Sequence, residues 1–311
     1  MDTLTQLPSG TQWTIEADGH RATVVEVGGG LREYRAGGVD VLFGYAADEI
    51  CPASAGKVLA PWPNRIRDGR YSFGGDVHQL TLTEPARHNA IHGLVNWARW
   101  RRVEATGSSV TVEYEVVPQP GYPWPLVLRT TWSVGTDGLV AEHTATNAGA
   151  GPCPFGLATH PYVQVPGVRV DDLLLRVPGR SRLLVDGRML PIGAAKVAGS
   201  EYDFTQPKPI GELALDTAFG DVDRDADGRS AVTLTTADGR GAEVWADGAF
   251  GWWQVFTSDS LAPDRHRRSV AIEPMTCPPD AFRSGRDVVV IQPGETWRGR
   301  WGIRPLPGVS A

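Results

Sequence analysis

Six polar side chains of this chain lie among apolar neighbours and have the types that bind a small polar ligand or exchange protons with it. Glu273, for example, follows the apolar stretch Ser269–Ile272 and is followed at once by Pro274. A carboxylate and a histidine that meet in an apolar cleft can exchange protons with a bound ligand near neutral pH. The six residues are Arg65, His92, His160, Asp216, Gln254 and Glu273.

Each of these residues has a plainer explanation when it is taken alone. Arg65 could be a surface arginine, His92 a structural histidine, and Asp216 the cap of a turn. His160 ends an apolar run and precedes Pro161, which cannot continue a central strand, so we expect it at a sheet rim or a cavity mouth. Apolar walls with a few convergent polar groups are typical of a site for a small polar ligand.

Flat apolar side chains are plentiful beside these polar groups. The chain has 11 tryptophans, and Gly121-Tyr122-Pro123-Trp124 adds two aromatic rings in one short stretch. A neutral polyol needs hydrogen-bonding groups for its hydroxyls and a flat surface for its ring. Most of the tryptophans are expected to pack between sheets instead.

Three metal- or phosphate-like patterns are incomplete. The stretch 223–228 begins like a calcium loop, but Leu234 occupies the position of the bidentate acid, so a solvated hairpin loop is predicted. The glycines at 28–30 are not followed by the GK[ST] of a phosphate-binding loop, so no such loop is predicted. His88 and His92 are four residues apart but lack the glutamate of HExxH. We therefore expect no metal and no cofactor.

Alternation of apolar and polar residues, rich in Val, Thr and aromatic residues, predicts a chain made almost entirely of strands. No long helical periodicity is present, and a short helix is predicted near 281–286. This pattern favours an all-β sandwich or barrel with large antiparallel sheets, and no linker divides residues 1–311, which we expect to form a single domain. The predicted strands are 22–27, 110–117, 127–134, 139–146, 170–177, 231–236, 252–257, 269–273, 287–291 and 296–303.

Composition narrows the functional class. The 311 residues are 41% hydrophobic and carry a net charge of -6, which argues against a general nucleic-acid binder. Three widely spaced cysteines fit neither a disulfide framework nor a metal knuckle. No signal peptide and no membrane-spanning run is recognisable. A cytoplasmic enzyme or binding protein is the expectation, with a small molecule and neither nucleic acid nor membrane as its partner.

The polar residues belong to short motifs that follow one another in a fixed order. The motifs are Asn64-Arg65-Ile66, Ile91-His92-Gly93, Gly121-Tyr122-Pro123, His160-Pro161-Tyr162, Asp216-x-x-Phe219, Trp253-Gln254-Val255-Phe256-Thr257, Glu273-Pro274 and Pro279-Asp280-Ala281-Phe282. This ordered set resembles the aldose 1-epimerase (galactose mutarotase-like) family. The resemblance implies one large β-sandwich, called a supersandwich, with very little helix and a cleft on one sheet.

The sequence departs from the family pattern around these motifs. Leu94 replaces the usual second glycine, and Val163-Gln164-Val165 replaces the common continuation after His-Pro-Tyr. Met275 and Phe282 stand where many members carry glutamine and asparagine. The departures leave the reaction class intact and the identity of the sugar open.

The resemblance implies a role for each residue in the interconversion of the two anomers of a hexose. Glu273 would be the base at the C1 hydroxyl and His160 the acid at the ring oxygen. Substrate-binding roles would fall to Asn64, Arg65, His92, Asp216 and Gln254. The implied partner is a monosaccharide, and the oligomeric state, monomer or homodimer, remains open.

Two alternatives remain within the same fold. A phosphorylated or sulfonated hexose would require cations at the rim, for which Arg67, Arg70, Arg87 and Arg99 are candidates. A non-catalytic sugar-binding module is disfavoured because both Glu273 and His160 are present. A hydrolase would need a second carboxylate motif across a glycosidic bond, and none is evident.

Overall fold

A computed structural model describes residues 6–308 of the chain. Strands dominate these residues, which contain one α-helix, α1 (Ala281–Ser284), and three single 3₁₀ turns at Pro52–Ser54, Pro85–Arg87 and Val170–Asp172. None of the helices in this range is long and apolar enough to cross a membrane. The strands are β1 (Gln12–Ala17), β2 (His20–Val25), β3 (Leu31–Ala36), β4 (Val39–Asp40), β5 (Val58–Leu59), β6 (Arg65–Arg67), β7 (Arg70–Phe73), β8 (Asp76–Gln79), β9 (Asn89–Ile91), β10 (Arg101–Ala105), β11 (Ser109–Val116), β12 (Leu126–Gly135), β13 (Gly138–Asn147), β14 (Cys153–Phe155), β15 (Ala158–Thr159), β16 (Tyr162–Val163), β17 (Leu174–Arg176), β18 (Gly179–Val185), β19 (Pro191–Lys196), β20 (Lys208–Pro209), β21 (Asp216–Val222), β22 (Ser230–Thr235), β23 (Arg240–Ala246), β24 (Trp252–Phe256), β25 (Val270–Met275), β26 (Val289–Ile291) and β27 (Thr296–Pro307).

One large antiparallel sheet has nine strands in the order β10-β11-β12-β13-β27-β23-β22-β17-β20. Its longest hairpin, β12–β13, follows from strict alternation, because Leu126, Leu128 and Trp132 are buried while Val127 and Arg129 between them are more exposed. The last long strand, β27, inserts between β13 and β23. The sheet is therefore complete only when β27 has paired with both of these strands.

The second large sheet has eight strands. Its main path is β19-β18-β21-β24-β25-β15-β5, and β16 also pairs with β25. A four-stranded sheet, β1 to β4, and three two-stranded ribbons, β6–β9, β7–β8 and β14–β26, complete the fold within residues 6–308.

The two large sheets share one hydrophobic core. A single cluster of buried side chains contains Val112 and Trp132 from the nine-stranded sheet and Trp253 and Ile272 from the eight-stranded sheet. Trp253 Nε1 also donates a hydrogen bond to Ser230 Oγ on β22, at 3.1 Å. The predicted all-β sandwich with large sheets is thus confirmed.

The opposite face of the eight-stranded sheet is covered as well. Along β25, Val270 and Ile272 enter the shared core, while Ala271 and Met275 belong to two separate buried clusters on the other face. All six residues of β25 are buried. This burial on both faces explains why the strand reads as a continuous apolar run.

Three local predictions were wrong in detail. Residues 170–172 form a 3₁₀ turn, so the strand predicted for 170–177 is limited to β17, Leu174–Arg176. Glu273 lies inside β25, which continues through Pro274 to Met275. The stretch 223–228 joins β21 of one large sheet to β22 of the other, so it is a crossing turn and not a hairpin loop.

Candidate active site

Three adjacent strands of the eight-stranded sheet place the first part of the site. Glu273 on β25 lies directly opposite Gln254 on β24, so their side chains share the face away from the core. Gln254 Nε2 donates a hydrogen bond to Oδ1 of Asp216, the first residue of β21, at 2.5 Å. Gln254 and Glu273 are buried, and Asp216 is partly exposed. The strands therefore hold two carboxylates on one rigid surface.

His160 lies in the short break between β15 and β16 that Pro161 creates. Two backbone hydrogen bonds fix this break, from Gly56 N to His160 O at 2.8 Å and from His160 N to Lys57 O at 3.2 Å. The imidazole stacks on the Tyr162 ring, with centroids 4.9 Å apart. Its Nε2 lies 3.3 Å from Oε1 of Glu273. The break thus brings the histidine into contact with the strand carboxylate.

A two-stranded ribbon, β6–β9, supplies the third group of residues in the site. Asn64 and His92 flank the ribbon, and both adopt left-handed backbone conformations with φ of 51° and 63°. His92 N donates to Asn64 O at 2.9 Å, and Asn64 Oδ1 accepts from Arg65 N at 2.9 Å. The rings of His92 and His160 meet edge to face with centroids 5.7 Å apart. The ribbon therefore places His92 and Arg65 opposite the strands.

Arg65 has a partly buried partner that the sequence did not indicate. Its Nε and Nη2 donate to the two carboxylate oxygens of Glu84 at 2.9 and 3.0 Å, a bidentate pair. Asn89 Nδ2 and Arg87 Nη1 also donate to Glu84, at 2.9 and 3.0 Å. In the sequence, Glu84 precedes Pro85 and resembles any acid at the start of a turn. It holds the guanidinium of Arg65 in one orientation.

Burial shifts the pKa values of the central groups. Burial and the neighbouring Asp216 charge raise the pKa of Glu273 well above its usual range, and Arg65 opposes this shift. Burial lowers the pKa of His160 to about 4. The pKa of His92 falls well below its usual range through burial, with smaller effects from His160 and Arg65. Burial also raises the pKa of Asp216.

Several buried polar atoms of these residues have no hydrogen-bond partner within residues 6–308. They are Nδ1 of His92, Nδ1 of His160, Oε1 of Gln254 and Oε2 of Glu273. Three of these atoms belong to residues that line the cleft, His92, His160 and Glu273. Buried polar atoms are paired in most proteins, so these three unpaired atoms indicate that the site is built to meet a polar ligand.

The cleft between these elements has a volume of about 220 Å³. Six of the seven residues singled out from the sequence line it, and the seventh, Gln254, lies behind Asp216 and touches it. Tyr162, Phe256 and Leu261 also line it, and the sequence assigned none of them a role in the site. Phe256 could have been found, because it follows Gln254 by two residues and so faces the same side of β24.

Met275 and Phe282, two departures from the family pattern, lie outside this lining in the described part of the chain. Met275 packs in a small cluster with Trp252 and Ala218. Phe282 packs against the rings of Trp62 and Tyr71, with centroids 6.0 and 5.0 Å away. Neither side chain is placed to contact a ligand in the cleft directly.

Comparisons with known proteins agree with this fold. The family model described as aldose 1-epimerase matches residues 11–304. An uncharacterized protein of Escherichia coli K12, YihR, is 33% identical over 292 residues, which cover 93% of this chain and 92% of that protein.

Solved structures share the same fold. A GalM/aldose epimerase homologue from C. elegans superposes with a TM-score of 0.85 at 20% identity, covering 96% of this chain and 100% of that one. Galactose 1-epimerase from Lactobacillus acidophilus NCFM gives 0.77 at 20% identity, covering 94% of each chain. Because the family model matches residues 11–304 and YihR is 33% identical, the chain belongs to the aldose 1-epimerase family.

Proposed function

We propose that this protein is an aldose 1-epimerase that interconverts the α and β anomers of a free hexose by opening and reclosing the sugar ring. The observation that carries the proposal is the contact of Glu273 with His160, 3.3 Å between Oε1 and Nε2, inside a buried cleft. Asp216, Arg65 and His92 surround that contact with groups suited to sugar hydroxyls.

The reaction needs two proton transfers on either side of one bond. Glu273 takes the proton of the C1 hydroxyl, the C1 oxygen forms a carbonyl, and the bond from C1 to the ring oxygen breaks. His160 gives its proton to the ring oxygen. The aldehyde then rotates about C1–C2, and the reverse transfers close the ring on the other face. General acid–base catalysis of this kind contributes about 10²–10⁴-fold.

The pKa directions are consistent with this use of one pair. A raised pKa of Glu273 and a lowered pKa of His160 both favour the form of the pair whose one proton lies on the carboxyl group. The reactive form, carboxylate with imidazolium, has the same number of protons and differs only by a transfer across the contact. The pair is thus ready to react without taking a proton from solvent.

The remaining groups position the sugar. Asp216 accepts hydrogen bonds from hydroxyls away from C1, and Gln254 holds Asp216 in place. Arg65 and His92 donate from the opposite side, and Tyr162 and Phe256 provide flat apolar walls. Each hydrogen bond left unmade in such a buried site costs about 1–3 kcal/mol.

The test is exchange between anomers, followed by NMR at equilibrium and by polarimetry of fresh α-glucose and α-galactose. Glu273→Gln should slow exchange by at least about 100-fold while sugar binding, measured by calorimetry, persists. Glu113→Gln is the matched control, because Glu113 is equally buried but lies on β11, between Arg101 and Arg129. Near wild-type exchange in Glu273→Gln would contradict the assignment.

The alternative of a phosphorylated or sulfonated hexose gains little support from the arginines first considered for it. Arg67 pairs with Asp186 at 3.4 Å, Arg87 with Glu84 at 3.0 Å and Arg99 with Glu26 at 2.9 Å. Arg70 has no ion pair within residues 6–308, but it lines a different cavity and is not part of the cleft lining. A guanidinium already neutralised by a carboxylate attracts an anion weakly.

The same proposal assigns the enzyme to the cytoplasm. Its cysteines Cys51, Cys153 and Cys277 are all buried and unpaired, as in proteins of reducing compartments.

A further inference from the structure

A larger cavity adjoins the cleft and has no part in the reaction described above. Its volume is about 630 Å³, against about 220 Å³ for the cleft, and Asp216, Phe256 and Ser260 line both. Anomer interconversion requires one ring with a free C1, which the cleft already surrounds. The second cavity therefore lies beyond the space that a single ring occupies.

The arrangement of the strands gives the direction in which a ligand would extend. In the order β19-β18-β21-β24-β25, Glu273 lies on β25 and Asp216 on β21, and the cavity continues to Leu183 on β18 and Ile192 on β19. Neighbouring strands are about 4.8 Å apart, so this line spans about 19 Å. A sugar ring with its C1 at Glu273 thus points the opposite end of the ring, the end farthest from C1, toward the second cavity.

The second cavity presents apolar surface to solvent. Val185 and Ile192 line it and are 36% and 66% exposed. Large apolar side chains that remain exposed beside a cleft are typical of a ligand-binding groove. They offer the kind of surface on which the apolar face of a sugar ring packs.

One polar side chain in the cavity lacks a partner. The Arg182 guanidinium stacks on the Tyr202 ring, with Cζ 3.6 Å from the ring centroid. Its buried Nε makes no hydrogen bond within residues 6–308. A donor of this kind, held beside an aromatic face, suits a hydroxyl at the edge of a ring.

The charges of the cavity favour a neutral occupant. Arg87 and Arg182 are balanced by Asp216 and Asp259. Arg87 already pairs with Glu84 at 3.0 Å, and Asp259 pairs with Arg267 at 2.6 Å. A phosphate or sulfonate would therefore meet no net positive charge.

We propose that this cavity is a subsite for a second, neutral sugar ring, and that the preferred substrate is the reducing end of a disaccharide or longer saccharide. The inference rests on the proposed epimerase function and deepens it. The first ring, with its free C1, occupies the cleft. The glycosidic bond passes Asp216 and Phe256, and the second ring packs on Val185 and Ile192.

The experiment compares anomer exchange at equilibrium by NMR for matched sugars. Glucose, galactose and mannose are each measured beside the 1→4- and 1→6-linked disaccharides of the same sugar, and beside glucose 6-phosphate. At least one disaccharide should show a kcat/KM about tenfold or more above its hexose. Ile192→Asp should remove that advantage and leave hexose exchange unchanged. Val117→Asp, at a similarly exposed apolar position (61%) just after β11, should change neither.

The outcomes separate the two proposals. Hexoses that exchange as fast as every disaccharide, or an Ile192→Asp variant that keeps the disaccharide advantage, would overturn the subsite alone. A preference for glucose 6-phosphate that is lost in Arg182→Gln would overturn its neutral character. If no sugar exchanged, the epimerase function itself would fail, and calorimetric binding of the same disaccharides to wild type and Ile192→Asp would still decide whether the cavity holds a second ring.

Discussion

Glu273 and His160 share one proton when the pair is ready to react. The rate should therefore depend on how many protons the pair carries. Below about pH 4, the pKa of His160, a second proton binds and no base remains. Above the raised pKa of Glu273, the pair loses its only proton and no acid remains. We therefore expect a broad bell-shaped profile of kcat/KM with an acid limb near pH 4. Polarimetry corrected for uncatalysed mutarotation measures it, and a rate that keeps rising through the alkaline range would contradict the shared-proton mechanism.

Glu84 should influence the same profile through Arg65. The charge of Arg65 lowers the pKa of Glu273, and the bidentate contact of Glu84 at 2.9 and 3.0 Å offsets that charge. In Glu84→Gln the offset is lost, so the pKa of Glu273 falls and the alkaline limb of kcat/KM moves to lower pH. KM should also rise about tenfold or more, because hydrogen bonds to charged groups contribute about 1.5–3 kcal/mol.

The charge-preserving variant Glu84→Asp distinguishes electrostatics from positioning. It shortens the side chain but keeps the carboxylate, so KM should rise while the alkaline limb stays near the wild-type value. An alkaline limb that moves equally in Glu84→Asp and Glu84→Gln, or in neither, would show that Glu84 acts by position alone.

Residues that hold a site residue in position, as Glu84 holds Arg65, were the hardest part of the site to predict from the sequence. The reacting side chains could be singled out because each is a polar residue in an apolar stretch, as His160 and Glu273 are. Glu84 could not, because its partner Arg65 is 19 residues away and the contact depends on how the ribbon β6–β9 folds. The roles assigned to the seven residues stay predictions until the variants are measured.

At the scale of elements, Gly93 limits how the β6–β9 ribbon approaches the eight-stranded sheet. Its φ is +74°, and a Cβ there would lie 2.0 Å from the backbone oxygen of Ala60. Gly93→Ala should therefore cost about 1–2 kcal/mol for the left-handed conformation and about 1–3 kcal/mol for the clash. Urea unfolding measures the loss, and anomer exchange should fall as well because His92 is the preceding residue.

Gly74→Ala is the matched control for that substitution. Gly74 has a similar φ of +64°, but a Cβ there meets nothing within 4 Å. It should show only the conformational cost. If the two variants lost equal free energy of unfolding, close packing at Gly93 would not be the reason for the glycine.

The elements themselves were mostly predictable where alternation is long. β12 and β13 lie within one residue of their predicted ranges, because strict alternation over many residues has one interpretation. The two- and three-residue strands β5, β6 and β9 carry too few residues for any period. The 3₁₀ turn at Val170–Asp172 was also missed, since Val-Asp-Asp before an apolar run reads equally well as the start of a strand.

At the scale of the whole molecule, the sheet order depends on pairings that span the chain. β13 pairs with β27, and Ala145 lies opposite Trp297. Residues so far apart in sequence carry no local signal of their pairing, so the sandwich class was predictable while the strand order was not. β27 lies in the middle of the nine-stranded sheet, so the sheet cannot be completed until this strand has paired with β13 and β23.

We propose from this topology that the chain unfolds as a single domain. The shared core includes Ile15 near one end of the described residues and Ile303 near the other, together with side chains of both large sheets. Calorimetry should show one transition, and Ile15→Ala and Ile303→Ala should each lower the same Tm by several degrees, because each removes about 2–5 kcal/mol of packing. Val77→Ala, at a position 56% exposed on β8, should leave Tm unchanged. Two resolved transitions, with Ile15→Ala moving one and Ile303→Ala the other, would instead show that the two ends of the chain belong to separate cooperative units.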